Sequence, residues 1–162
     1  MVRIPFTSLG GNCLNINKIG KGPVILLLHG FTGSSKTWDS LIELLADKYS
    51  LITVDILGHG LADAPLDSKY YRMAETIGAL EEVVDYFDAS EVIWLGYSMG
   101  ARIALSAAVS LPHLTSGLIM ESGSPGLQTQ DERSARKLQD EALAGWMEKV
   151  SIEDFVDYWQ SI

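Results

Sequence analysis

The sequence predicts an α/β protein built on a mostly parallel, doubly wound sheet. Three observations carry that prediction. Short apolar runs alternate with segments of helical periodicity between Val24 and Glu121, the pattern of strand–helix–strand units. One run, Val24-Ile25-Leu26-Leu27-Leu28, is apolar throughout, as a parallel strand buried on both faces requires. A second, Val92-Ile93-Trp94-Leu95, leads into Gly96-Tyr97-Ser98-Met99-Gly100 and then into a small-residue helical pattern (Ala101, Ala104, Leu105, Ala107, Ala108), which reads as strand, sharp turn, helix.

The elements follow in order. Residues 2–8 and 12–19 read as two strands around Gly10-Gly11-Asn12, a hairpin signal. Gly20-Lys21-Gly22-Pro23 is a turn, and Val24–Leu28 ends in His29-Gly30-Phe31-Thr32-Gly33-Ser34. Thr37 to Lys48 has helical spacing at Trp38, Leu41, Leu44 and Leu45, with Ser34, Ser35 or Thr37 as N-cap. Leu51–Val54 is a strand ending at Asp55, and Ile56 to Tyr71 is a loop carrying Gly58-His59-Gly60. Met73 to Phe87 is an amphipathic helix, Val92 to Leu95 the strand before the turn, Ser98 to Leu111 the helix after it, and Thr115 to Glu121 a further strand. Beyond Ser122 a turn-rich loop precedes helices only, Glu132 to Lys149 and Ile152 to Gln160, the second capped by Ser151-x-x-Asp154. The expected organisation is a core over 1–122 and the beginning of a helical cap over 123–162.

Composition narrows the function. With 47% hydrophobic and 20% charged residues the chain is long enough for one folded core. The net charge of -9, from 21 acidic against 12 basic residues, disfavours nucleic acid, whose phosphates need a basic face. The acid sits in two runs, Glu75 to Glu91 and Asp131 to Asp157, which read as solvated helix faces. Cys13 is the only cysteine, so no intrachain disulfide forms, and its apolar neighbours predict a buried, inert thiol. The N-terminus lacks a signal-peptide core and no apolar run is long enough to span a bilayer, so a cytoplasmic protein without membrane contact is expected. No two histidines have metal-ligand spacing and no glycine-rich phosphate loop is present, so no metal and no cofactor are expected.

Function in a doubly wound sheet sits at the carboxyl ends of its strands. Three ends carry chemistry: His29-Gly30-Phe31, Asp55, and Ser98. A serine in a strained turn needs small neighbours two positions either side, which Gly96 and Gly100 are. Ser98 is the candidate catalytic residue. A developing oxyanion needs two backbone donors, the N–H of Met99 and one from the loop after an earlier strand, here Phe31. Arg102 lies one helical turn after Ser98 and must be paired or reach a polar cavity. A guanidinium there suits a carboxylate. Tyr97 has two accounts, a hydroxyl bonded to substrate or a ring packed on the sheet. His59 is read as ordering its loop, His29 as organising the loop it opens, and His113 as lying at the far end of its helix.

His29-Gly30-Phe31-Thr32-Gly33, Asp55-x-x-Gly58-His59-Gly60 and Gly96-Tyr97-Ser98-Met99-Gly100 together resemble the N-terminal half of an α/β-hydrolase-fold protein. Within that superfamily, Gly96-Tyr97-Ser98-Met99-Gly100-Ala101-Arg102, Glu121-Ser122-Gly123-Ser124-Pro125-Gly126-Leu127-Gln128 and Glu132-Arg133 are similar to the 2-succinyl-6-hydroxy-2,4-cyclohexadiene-1-carboxylate synthases of menaquinone biosynthesis. The resemblance implies a lyase that eliminates pyruvate from a succinyl-enolpyruvyl-cyclohexene-carboxylate, a small polycarboxylate anion. It assigns Arg102 and Arg133 to substrate carboxylates, with Arg136 a near alternative, and places Trp159 and Gln128 at the pocket. Taken alone, Trp159 reads as core. The runner-up is a carboxylic-ester or carbon–carbon bond hydrolase using the same serine.

A serine needs a histidine to take its proton and a carboxylate to orient that histidine, in the order Ser, Asp, His for this fold. No histidine occurs from Gly123 to Ile162, and Asp131, Asp140, Asp154 and Asp157 lie in helical sequence. Two readings follow. Either these residues are the N-terminal part of an enzyme of about 250–270 residues, or the protein is naturally short, and then noncatalytic or completed by another chain. A bare sheet edge would in that case be covered by a second copy or by a complementing C-terminal segment.

Overall fold

In a computed structural model of the chain, residues 4–7 and 11–161 are described. The outer parts of the first expected strand (residues 2, 3 and 8) and Gly10 of the hairpin signal lie outside them. The chain divides into two units, Met1–Pro125 and Gly126–Ile162.

In the first unit, β1 (Ile4–Thr7), β2 (Cys13–Gly20), β3 (Val24–Leu28), β4 (Ser50–Asp55), β5 (Val92–Tyr97) and β6 (Thr115–Glu121) form one sheet ordered β1-β2-β4-β3-β5-β6. The first two strands pair antiparallel with each other, and β2 pairs antiparallel with β4. The β4/β3, β3/β5 and β5/β6 pairs are parallel. Helices α1 (Asp39–Leu45), α2 (Met73–Tyr86) and α3 (Met99–Ser110) make the crossovers.

The apolar run of β3 feeds two cores because successive side chains point to opposite faces. Leu26 and Leu28 join Ile52, Val54, Leu80, Val83, Trp94 and Ala104 beneath α2 and α3. Ile25 and Leu27 join Leu51, Leu95, Trp38 and Ile42 beneath α1. Trp94 is fully buried and its indole N–H donates to Thr115 Oγ1 at 2.8 Å, so the largest core side chain brings its polar atom to a partner.

The helix expected over Thr37–Lys48 starts later than its spacing suggests. Ser35–Trp38 is a 3-10 turn, α1 begins at Asp39, and no side chain of Ser34, Ser35 or Thr37 caps it. Tertiary structure competes for the first turn: the Ser35 N–H donates to the Asp55 carboxylate at 2.6 Å. Cys13, expected buried, is half-buried at the start of β2, where its N–H donates to Asp63 Oδ2. Among the described residues β6 is an edge strand, with Leu118 and Ile119 exposed.

The second unit holds α4 (Gln130–Met147) and α5 (Ile152–Ser161). Thr129 and Glu132 form a full capping box at α4, a signal the sequence reading passed over. Ser151 caps α5, accepting from the Asp154 N–H at 3.1 Å while its own hydroxyl donates to the Asp154 carboxylate. Trp146, Phe155, Tyr158 and Trp159 pack ring on ring between the two helices. Among the described residues no helix is long and apolar enough to cross a membrane.

Candidate active site

The chain leaves β3 toward β4 on one side and leaves β5 toward β6 on the other. Adjacent parallel strands whose connections diverge leave a crevice at their carboxyl ends. The loops that follow β3 and β5 meet there.

Ser98 sits between β5 and α3 at φ 52°, ψ -109°, a conformation that costs an L-residue about 1–3 kcal/mol. Close backbone packing imposes it. A Cβ on Gly96 would overlap the backbone of Gly100 and Ala101, and a Cβ on Gly100 would overlap the carbonyls of Leu28 and His29. The Ser98 N–H donates to the Glu121 carbonyl at 2.9 Å, which ties the turn to the end of β6. No hydrogen bond of the Ser98 hydroxyl caps α3, so the helix begins at Met99 with its first N–H groups uncapped by side chain.

The β3 loop packs against this turn. A Cβ on Gly30 would stand 3.4 Å from the Ser98 Cβ and 2.9 Å from the Tyr97 ring. Gly33 N–H donates to the Gly30 carbonyl at 3.0 Å, closing a tight turn that holds Phe31 and, at φ 65°, Thr32. Tyr97 therefore covers Gly30 with its ring while remaining partly exposed.

His29 and Asp55 fasten the loops from below. His29 is fully buried; its Nδ1–H donates to the Gly30 carbonyl at 2.8 Å and its Nε2 accepts from the Ile56 N–H at 3.1 Å. Burial holds its pKa below the ordinary value against the Gly30 hydrogen bond, so the ring stays neutral and both nitrogens are committed. Asp55, also buried, accepts from the N–H groups of Leu61 and Ser35 and from Asn15 Nδ2. Burial opposes its charge, but these hydrogen bonds prevail and hold the carboxyl below its ordinary 3.8.

A carboxyl lowered on folding contributes stability above its unfolded pKa and loses it as pH falls through the lower folded value. Asp55→Asn is therefore expected to cost about 1–3 kcal/mol at pH 7 and to flatten the loss of stability below about pH 4, as followed by urea unfolding across pH.

Phe31, His59, Tyr71, Met73, Met99 and Arg102 line a cleft of about 510 Å³ over this region. Its polar side chains are His59, Arg102 and the hydroxyls of Tyr71 and Thr76, which donate to the carbonyls of Pro65 and Arg72. The exposed Arg102 guanidinium lines this cleft and has no carboxylate or hydrogen-bond partner among the described residues. The cleft thus brings Phe31, Met99 and Arg102 together in the first unit, while Tyr97 and Ser98 lie against Gly30 of the loop that carries Phe31.

Gln128, Arg133 and Trp159 belong to the second unit. Arg133 is engaged locally: Nη1 donates to the carbonyls of Leu127 and Gln128 at 2.8 and 3.1 Å. Arg136 pairs with Asp140 at 2.7 Å. Trp159 is half-buried on Phe155, with ring centroids 5.8 Å apart. His113 lies 3.9 Å from Glu81, at the far end of α3. Among the described residues no group of His, Cys, Asp or Glu side chains is arranged to hold a metal ion.

The sequence marks Asp55 as a strand end but gives it no role, because its burial and three donors depend on strands and loops distant in sequence. The signal was its position at a strand end before a glycine-flanked loop.

Comparison with known proteins follows the same outline. The alpha/beta hydrolase fold family matches residues 23–158. A Bacillus subtilis protein provisionally named as a 2-succinyl-6-hydroxy-2,4-cyclohexadiene-1-carboxylate synthase is 43% identical over 138 residues, 85% of this chain and 50% of the relative. The Citrobacter koseri protein named as that synthase is 31% identical over 85% of this chain and 54% of its own length. The chain thus spans about half the length of these relatives. Among solved structures, an epoxide hydrolase mutant from Vigna radiata superposes with a TM-score of 0.74 at 24% identity, covering 83% of this chain and 44% of that one, a likeness of fold.

Proposed function

The chain belongs to the alpha/beta hydrolase fold family, and from that membership we propose that it supplies the serine-bearing part of a carbon–oxygen lyase acting in the cytoplasm. The reaction eliminates pyruvate from a succinyl-enolpyruvyl-cyclohexene-carboxylate and leaves 2-succinyl-6-hydroxy-2,4-cyclohexadiene-1-carboxylate, a step of menaquinone biosynthesis. One observation carries the reading: a strained serine stands one helical turn before an arginine without an acidic partner, and that arginine lines a cleft together with Met99, the residue after the serine. An ester hydrolase has no need of that cation; a polycarboxylate does. The names of two relatives give the same product.

In this mechanism Ser98 is the nucleophile-elbow residue and acts as a base. Its hydroxyl proton passes to a histidine supplied by polypeptide outside these residues. Ser98 Oγ then takes a proton from the ring carbon next to the succinyl ketone. The electron pair moves onto the ketone oxygen as an enolate, which the N–H groups of Phe31 and Met99 stabilise as an oxyanion hole. Collapse of the enolate gives the ring its second double bond and breaks the carbon–oxygen bond to the enolpyruvyl group. The departing enolpyruvate takes up a proton and becomes pyruvate. Arg102 holds a substrate carboxylate.

The test is release of pyruvate from that substrate by the intact protein. Arg102→Ala is expected to raise KM about 10- to 100-fold, the worth of one charged hydrogen-bond pair, with kcat changed only a few-fold. Absence of pyruvate, or a KM indifferent to Arg102, overturns the reading. A kinetically competent acyl-enzyme trapped at Ser98 would replace it with the hydrolase.

A further inference from the structure

The loop from Ile56 to Asp63 is held more firmly than a surface connection needs. Gly58 N–H donates to the Asp63 carbonyl at 2.8 Å, His59 N–H to Ile56 at 2.9 Å, and Ala62 N–H to His59 at 3.0 Å. Gly58 and Gly60 have φ of 80° and 57°, and a Cβ on Gly60 would strike the Asp55 carboxylate. This frame sets His59 in the wall of the cleft, its ring centroid 5.1 Å from that of His29 and 5.8 Å from that of Phe31.

The ring's Nδ1 lies 3.2 Å from the Leu57 carbonyl. A carbonyl only accepts, so Nδ1 carries the hydrogen, and in the neutral ring Nε2 carries the lone pair. Nε2 has no hydrogen-bond partner among the described residues. The neighbouring His29 is different, since both of its nitrogens are used. With the Tyr71 and Thr76 hydroxyls committed to the Pro65 and Arg72 carbonyls, the cleft offers two complementary groups to a ligand: a cation at Arg102 and an acceptor at His59 Nε2.

We propose that His59 is a second ligand-recognition residue of the cleft, its Nε2 accepting a hydrogen bond from the hydroxyl of a hydroxy-carboxylate whose carboxylate is held by Arg102. The inference rests on the cleft being the substrate site. It names which part of such a substrate each residue reads, and it makes His59 selective for a hydroxylated ring over its deoxy counterpart.

The test uses two probes, 2-hydroxycyclohexanecarboxylate (cis and trans) and cyclohexanecarboxylate, titrated into the intact protein at pH 8 and followed by NMR line shifts. The better hydroxy isomer is expected to bind about fivefold more tightly than the deoxy acid, the net worth of one neutral hydrogen bond. His59→Phe, which keeps a ring against Phe31, is expected to bring the ratio to about one. His59→Gln, whose Oε1 also accepts, is expected to retain part of the discrimination. Arg102→Ala should weaken both probes equally. Equal affinity for the two acids in the unsubstituted protein, binding of neither, or a ratio unchanged in His59→Phe overturns the proposal. Pyruvate release is scored separately: discrimination without pyruvate removes the lyase reading alone, and pyruvate without discrimination removes this one alone.

Discussion

Ser98→Ala is expected to lower kcat/KM for pyruvate release by about 10³-fold or more while leaving the protein as stable as before, within about 0.5 kcal/mol. The asymmetry follows from what the side chain touches. Its hydroxyl does not cap α3, and it has no hydrogen-bond partner among the described residues, so its removal orphans nothing. The strained backbone at φ 52° already carries a Cβ and changes little with alanine. Ser98→Gly extends the argument. Glycine adopts positive φ without penalty, so this variant is expected to gain about 1 kcal/mol of stability while losing the same activity. Paired kcat/KM and thermal-melting measurements on the two variants check both statements. Retained activity in Ser98→Ala would remove the serine from the mechanism, and a stability loss above about 2 kcal/mol would make it a structural residue.

Gly100→Ala is expected to be the most damaging single-methyl change in the first unit. Its new Cβ would overlap the carbonyl of Leu28 and press on that of His29, both main-chain groups of a fully buried strand end. A flexible side chain could turn away, but these carbonyls cannot move without pulling β3 from β4 and β5, with which it is paired. A cost of about 3 kcal/mol or more is expected, a fall in Tm of about 10 °C. Gly126→Ala provides the contrast at the level of space, since nothing lies within 4 Å of its Cβ position and only its φ of 120° opposes the change. If Gly100→Ala melts with the parent protein, the close approach of α3 to β3 is wrong.

How much of this was legible in the residues varies with the range of the forces involved. The strands β3 and β6, and helices α2 and α3 to within one residue at their ends, follow from local periodicity, because a strand or helix buries one face or two by a repeat that one stretch of chain displays by itself. The serine turn was legible for a related reason. Its glycines are demanded by contacts within one strand–turn–helix unit, Gly96 against Gly100 and Ala101. The start of α1 was not legible, because Asp55 draws the Ser35 N–H away from a cap. In the sequence Arg102 is singled out by its place one turn after Ser98, and Arg133 only by the resemblance. The structure separates them by partners, carbonyls of its own loop for one and an open cleft for the other.

By itself, then, the sequence determined an α/β fold with a serine at a strained turn between its fifth strand and third helix, since both are written in side-chain spacing and residue size. Only the tertiary structure decided which loops meet that serine. The order β4-β3-β5 puts the loop after Val24–Leu28 beside the turn after Val92–Tyr97. Buried Asp55 and His29 then clamp the neighbouring loops through hydrogen bonds to residues far along the chain. Those bonds depend on which strands become neighbours in the sheet, a choice made by packing two cores on its two faces, and no periodicity in a single segment records it.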